Sequence, residues 1–263
     1  MGSATIRPRS CQVFPEFSFE WLEAEFDTVA ERSADPFYIS EETKKTLHEV
    51  YKYWKGKTSS DLATSYMSPE TLTAMKHNMF TPGNYFYNGI GHVTVDYGKV
   101  ITYGYSEYVK EIEEELAGMR VSDANYCKKH ALLEAMLISL RAVIRYAKRY
   151  SRLAKEMAEK EQNGTRKAEL LKISENCDRV PESGARNFYE ACQSFWFIQM
   201  LIQVESSGHS ISPGRFDQYM YPFYKKSLDA GMTREQAQEY IDCIWVKLND
   251  LNKCRDAVSA EGF

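Results

Sequence analysis

A helical period runs almost unbroken from about residue 123 to about residue 162, and it limits this chain to a helical body more than any other feature does. Leu132, Leu133, Met136, Leu140, Val143, Ile144 and Ala147 recur at the spacing of one helix face and are expected to point inward. The Lys, Arg and Glu positions between them read as a solvated face, not as a binding stripe.

Shorter helices are predicted around this one. Phe19, Leu22, Phe26 and Val29 mark a helix beginning after Ser18. Ser40 is placed to cap a second helix through Leu47, Val50, Tyr51 and Trp54, with Gly56 where a C-terminal cap belongs. Ser68-Pro69 has the N-cap and first-turn residues that open a third. A further period runs from Asp96 to about Leu116, and others cover about 166–177 and 188–204. Thr233-x-x-Gln236 is a capping box ahead of Ile241, Ile244, Trp245 and Leu248. Two stretches cannot be regular helix: residues 80–92, rich in Gly, Asn and aromatics, and residues 205–214. So many large rings do not suit an exposed loop, and the first stretch reads as an ordered, enclosed segment that shapes a pocket.

Composition excludes several classes of function. With 43% hydrophobic and 27% charged residues over 263 positions the chain is globular, and 13% aromatics favour a buried core or an enclosed pocket. A net charge of -4 with no dominant basic stripe argues against a nucleic-acid partner. No apolar run approaches the roughly 20 residues of a membrane span. Six cysteines without a CxxC pair read as reduced thiols, so a cytoplasmic location is expected, with no disulfide framework and no zinc site.

Of the five histidines, His48, His77 and His130 sit in helical patterns and read as packing or surface residues. His92 and His209 lie in the two irregular stretches, and Ser210 adds a hydroxyl beside the second imidazole. Such a set can offer donors and an acceptor to a polyol. A Ser–His nucleophile would need a third orienting group and an oxyanion hole, which nothing in the sequence marks. No HxxE or HxxxH spacing indicates a metal. The residues alone specify a polar pocket between helices and no more.

Several segments resemble the glycyl radical enzymes, the superfamily of pyruvate formate-lyase. They are SCQVFPEF at 10–17, LATSYM at 62–67, GHVTVDYGKV at 91–100, GHSISPGRFDQY at 208–219 and IDCIWVKLND at 241–250. GNYFYNGIGH at 83–92 and SSGHS at 206–210 are narrower and resemble the cobalamin-independent glycerol and 1,2-propanediol dehydratases. The resemblance implies a mainly α piece, the amino-terminal helical part of a ten-stranded α/β barrel. It implies His92 as the group that protonates the departing hydroxyl, with Asn84, His209 and Ser210 holding the substrate hydroxyls. Arg215 and Asp217 are expected to shape the turn after the second loop. It further implies a glycyl radical installed by a radical S-adenosylmethionine activating enzyme, no cobalamin, and a homodimeric full-length parent.

The family's Gly-Cys-Val-Glu type thiyl loop and Arg-Val-x-Gly-Tyr type glycyl loop have no counterpart here, since no cysteine follows a glycine and precedes an acidic residue by two. The expectation is therefore a partial domain over residues 1–263, inactive alone. Two rivals stand beside the diol dehydratase. One is a sister lyase acting on choline, hydroxyproline, isethionate or pyruvate; the other is a non-catalytic helical scaffold or interaction protein.

Overall fold

The computed structural model describes residues 15–80, 82, 86, 91–206, 210–250, 254, 256 and 257. Helix makes up 71% of the structure. Two short strands, β1 (Val93–Thr94) and β2 (Ile211–Ser212), pair with each other and are the described sheet; no barrel strand occurs among the described residues. The chain divides into two compact units. The first takes residues 1–93, 202–212 and 246–263, and the second takes 94–201 and 213–245.

In the first unit, α1 (Pro15–Glu25) packs on α2 (Glu41–Trp54), followed by α3 (Ser59–Ser65) and α4 (Pro69–Lys76). Leu22, Phe26, Leu47 and Tyr51 form the buried core, and Phe26 stacks on Tyr51 at 6.3 Å. Burying each such side chain contributes about 2 kcal/mol. The caps act as the sequence suggests: Ser40 Oγ accepts from the Thr43 N–H at 3.2 Å, and Ser68 Oγ from Thr71 at 3.2 Å. Helix α1 starts before the expected Ser18 and ends at Glu25, so Phe26 and Val29 reach the core from turns. Helix α3 was not expected, although the Thr58–Asp61 capping box that opens it is written in the sequence.

The second unit holds α5 (Tyr97–Tyr103), α6 (Tyr105–Gly118), α7 (Tyr126–Lys160), α8 (Gly164–Arg179), the first part of α9 (Phe188–Glu205), α10 (Phe216–Asp229) and most of α11 (Arg234–Asp250). Helices α7 and α8 form a hairpin. The buried face of α7 carries Ala147, Ser151, Ala154 and Ala158, a seam of small residues at alternating four- and three-residue spacing. Small side chains let two helices approach closely, and Ser174 Oγ donates to the Ser151 carbonyl at 2.8 Å across the gap. Nearer the start of α7, Leu133 and Leu137 meet Ile112 of α6. Leu133 and Ala147 thus point inward as expected, but Leu132 and Met136 do not: they are 61% and 42% exposed. With Val143, Tyr150 and Met157 they draw a second apolar line along α7, and the partners α6 and α8 occupy the other face.

The continuous helix expected from Asp96 to Leu116 is broken at Gly104, which adopts φ 80°. Tertiary contact sets the break. The N–H groups of Tyr105 and Ser106 donate to the carbonyls of Pro181 and Glu182 at 2.8 and 2.9 Å, and Ala185 returns a bond to the Ile101 carbonyl at 2.8 Å. A Cβ on Gly104 would collide with the backbone of Glu182 and Ser183.

Gly104→Ala is therefore expected to destabilise the protein by about 2 kcal/mol or more, combining a left-handed backbone with a backbone clash. Gly118→Ala, with open space around its Cβ, is expected to be neutral or slightly stabilising. Urea unfolding of the two variants checks the contrast. The exposed line on α7 should make the isolated chain self-associate with rising concentration. Sedimentation velocity should show this, and Leu132→Lys with Met157→Lys should reduce it.

Candidate functional site

Two of the four expected site residues are described. Asn84 and His209 lie outside the described residues, and so does most of the first loop. His92 and Ser210 are brought together: the His92 N–H donates to the Ser210 carbonyl at 2.8 Å, at the mouth of the β1–β2 ribbon. Both side chains are exposed in this chain.

The backbone is unusual at both ends of that bond. His92 has φ 55° and Ser210 φ 45°, left-handed conformations that a residue with a Cβ rarely adopts. Each costs on the order of 1 kcal/mol, and such costs persist where surrounding structure over-determines them. The kinks turn the chain sharply at the two residues whose imidazole and hydroxyl the sequence singled out. One turn before the second loop, the Gln203 side chain is buried and its Oε1 has no hydrogen-bond partner among the described residues. The sequence offered no signal for it.

The segments that carry the loops away are fixed in the second unit. Gly214 has φ 65°, and a Cβ there would lie 2.7 Å from Thr94 Cγ2. Tyr219 Oη donates to the Pro213 carbonyl at 2.8 Å, and the Gln218 N–H donates to the Arg215 carbonyl at 3.0 Å. Arg215 is the N-cap residue of α10 and Asp217 lies in its first turn, where a carboxylate suits the helix dipole. The run SPGRFDQY is thus a turn built for close approach.

Tyr97, five residues after His92, is fully buried. Its hydroxyl donates to Gln199 Oε1 of α9, and its ring lies 4.9 Å from Phe195 and stacks at 5.8 Å on Tyr219. Burial holds the phenols of Tyr97 and Tyr219 above their ordinary pKa, so both remain neutral donors across the physiological range. Tyr97 and Tyr219 fall in segments that carry the family resemblance, but no sequence pattern marked their meeting with Gln199, since the three lie on separate helices.

The thiols have structural surroundings. Cys177 and Cys192 are buried; desolvation pushes the first up to about 12 and raises the second as well. A shallow depression of about 330 Å³ is lined by Ser106, Val109, Arg141, Ile144, Arg145 and Glu182. Its Arg141 is bound to Glu113 and its Glu182 to Lys148, so two of its three charged side chains are already paired. Among the described residues no cluster of three His, Cys, Asp or Glu is placed to hold a metal, and no helix is long and apolar enough to cross a membrane.

The whole chain, residues 1–263, matches the profile of the pyruvate formate lyase-like family. A solved structure from Roseburia inulinivorans, described for 1,2-propanediol dehydration, is 65% identical with a TM-score of 0.87, covering 100% of this chain and 33% of its own. The glycerol-bound, B12-independent glycerol dehydratase of Clostridium butyricum is 52% identical with a TM-score of 0.86, again over 100% of this chain and 33% of that one. The isethionate sulfite-lyase of Desulfovibrio desulfuricans is 36% identical over 94% of this chain and 31% of its own length. The chain spans about a third of the length of the relatives it matches. Its helical architecture and its match over every residue make this chain a member of the pyruvate formate lyase-like family of glycyl radical enzymes.

Proposed function

We propose that the full-length protein containing this chain is a cobalamin-independent diol dehydratase, converting glycerol or 1,2-propanediol to the aldehyde and water in the cytoplasm. The observation that carries the reading is the hydrogen bond from His92 to Ser210, which sets the ends of the two histidine loops against each other. The greater identity to the two diol-dehydrating structures than to the isethionate enzyme supports it. The polar set points the same way. A quaternary ammonium calls for an aromatic cage and a carboxylate calls for Arg, whereas imidazole, hydroxyl and amide suit neutral hydroxyls.

In this reading His92 donates a proton to the C2 hydroxyl as the C2–O bond breaks, so that the group leaves as water. Ser210, with His209 and Asn84, holds the substrate hydroxyls and fixes which carbon faces the proton donor. One-electron chemistry at C1 is supplied by a glycyl radical and its relay cysteine, installed by a radical S-adenosylmethionine activating enzyme. Both residues belong to a part of the protein beyond these 263 residues, and the parent works as a homodimer.

The experiment is anaerobic turnover of the activated full-length protein. His92→Ala is expected to lower kcat by about a hundredfold or more with the fold intact, because a proton donor is lost. Ser210→Ala is expected to raise KM about fivefold, one hydrogen bond of about 1 kcal/mol. Wild-type turnover in the His92 variant would overturn the site assignment. Incubated with activating enzyme and S-adenosylmethionine, the 263-residue chain alone should give no glycyl radical signal by electron paramagnetic resonance; a doublet would place the radical loop within it.

A further inference from the structure

From residue 135 to residue 155 helix α7 carries no Asp or Glu, but it carries six cations: Arg141, Arg145, Lys148, Arg149, Arg152 and Lys155. Neighbouring elements neutralise two of them. Glu113 binds Arg141 at 2.5 Å, and Glu182 and Asp178 bind Lys148 at 2.7 and 3.1 Å. No acidic side chain binds the other four among the described residues. Arg145, Arg149, Arg152 and Lys155 follow one another at spacings of four, three and three, so they share one exposed side of the helix over about 15 Å. Glu156 and Glu159 mark the end of the patch.

Spacing alone reads these positions as a solvated face, but the solvated faces of this protein have another pattern. On α2, α6, α8 and α10 the pairs Lys52–Glu49, Lys110–Glu114, Arg166–Glu169, Lys172–Glu175 and Lys225–Asp229 set opposite charges one turn apart. Such pairs stabilise a helix, and like charges at the same spacing destabilise it. Arg141–Arg145, Arg145–Arg149 and Lys148–Arg152 are like charges four apart, in mid-helix where the dipole does not favour cations. An anion laid on this face relieves that repulsion. Arg145 also lines the groove of about 330 Å³, of whose charged side chains it alone is unpaired, and Val109 and Ile144 give the groove apolar lining.

We propose that this side of α7 is a docking face for an acidic, partly aliphatic segment of a partner protein, with one carboxylate held by Arg145 in the groove. A guanidinium takes a carboxylate through two parallel hydrogen bonds, and Val109 and Ile144 receive the aliphatic part of the segment. A nucleic acid fits less well: its phosphate backbone has no use for an apolar lining, and the chain's net charge of -4 opposes a long polyanion. Every residue of the face belongs to the second unit, and the proposal does not rest on the diol reading.

The test is fluorescence anisotropy on the full-length protein with a labelled helical peptide built of Glu, Leu and Ala. The peptide should bind in the micromolar range and weaken as salt rises, since exposed charges carry much of the contact. Arg145→Gln should weaken binding about tenfold, because its carboxylate contact is the one made inside the groove. Arg149→Gln and Arg152→Gln should each weaken it about threefold, and Arg120→Gln, outside the patch, should leave it unchanged. All four side chains are exposed, so the variants should keep the wild-type Tm. A peptide with Ser in place of Leu should bind about tenfold more weakly, because its contact with Val109 and Ile144 is lost. Wild-type affinity in Arg145→Gln, or equal binding of the Ser peptide, overturns the proposal. So does a full-length protein that binds no peptide, which would show the face covered by the rest of its own chain. Tighter binding of a single-stranded DNA of equal charge also overturns it and assigns the face to nucleic acid.

Discussion

Helix α9 is buried along nearly its whole length, and the second unit is arranged to surround it. Ala191, Cys192, Phe195, Phe197 and Ile198 are buried, and no residue from Phe188 to Gln203 is exposed. Phe197 packs into the Ala147–Cys177 cluster between α7 and α8, Phe195 meets Tyr97 of α5 and Phe216 of α10, and Tyr189 stacks at 4.4 Å on Tyr240 of α11. The entry of this helix into the core needs its own device. Glu190 is fully buried, yet its carboxylate accepts from the Arg186 backbone N–H at 2.7 Å and from the Arg186 guanidinium at 2.9 Å, with Arg179 at 3.5 Å. An uncompensated charge there would be costly; clamped between two arginines, it fixes where α9 begins.

The same helix delivers the candidate site. It runs on through Gln203 to Glu205, just ahead of the second histidine-bearing stretch. The β1–β2 ribbon does the equivalent work on the other side. Two residue pairs are too short to be a stable sheet by themselves. They persist because Gly214 lets Thr94 approach and because Tyr219 takes the Pro213 carbonyl. The run SPGRFDQY thus has a mechanical role, while a chemical role for GNYFYNGIGH and SSGHS belongs to the proposed function. A scaffold common to many substrates can keep the first while the second varies.

Features that depend on near neighbours in the chain were legible. Ser40, Ser68 and the Thr233–Gln236 box cap helices where expected, since a side-chain oxygen satisfies a backbone N–H three residues on whatever the rest of the fold does. The capping box at Thr58 is equally local, but α3 has only seven residues and no apolar period to announce it. The break at Gly104 was not legible, because its cause is the backbone at 181–185. The orientation of α7 was half legible. Leu132 and Leu133 are equally apolar neighbours, and only the positions of α6 and α8 decide that the second is buried and the first exposed.

The residues by themselves determined that this chain is a helical body, and they carried enough of the family's pattern to place it among glycyl radical enzymes. Helical period, caps and glycine content act over a few positions, so they can be read in order along the chain. Only the tertiary structure decided that His92 meets Ser210, that both adopt left-handed backbone, and that Tyr97 meets Gln199 and Tyr219. Those contacts join residues far apart in the sequence. They form only once distant parts of the chain have packed together, and no local spacing encodes that.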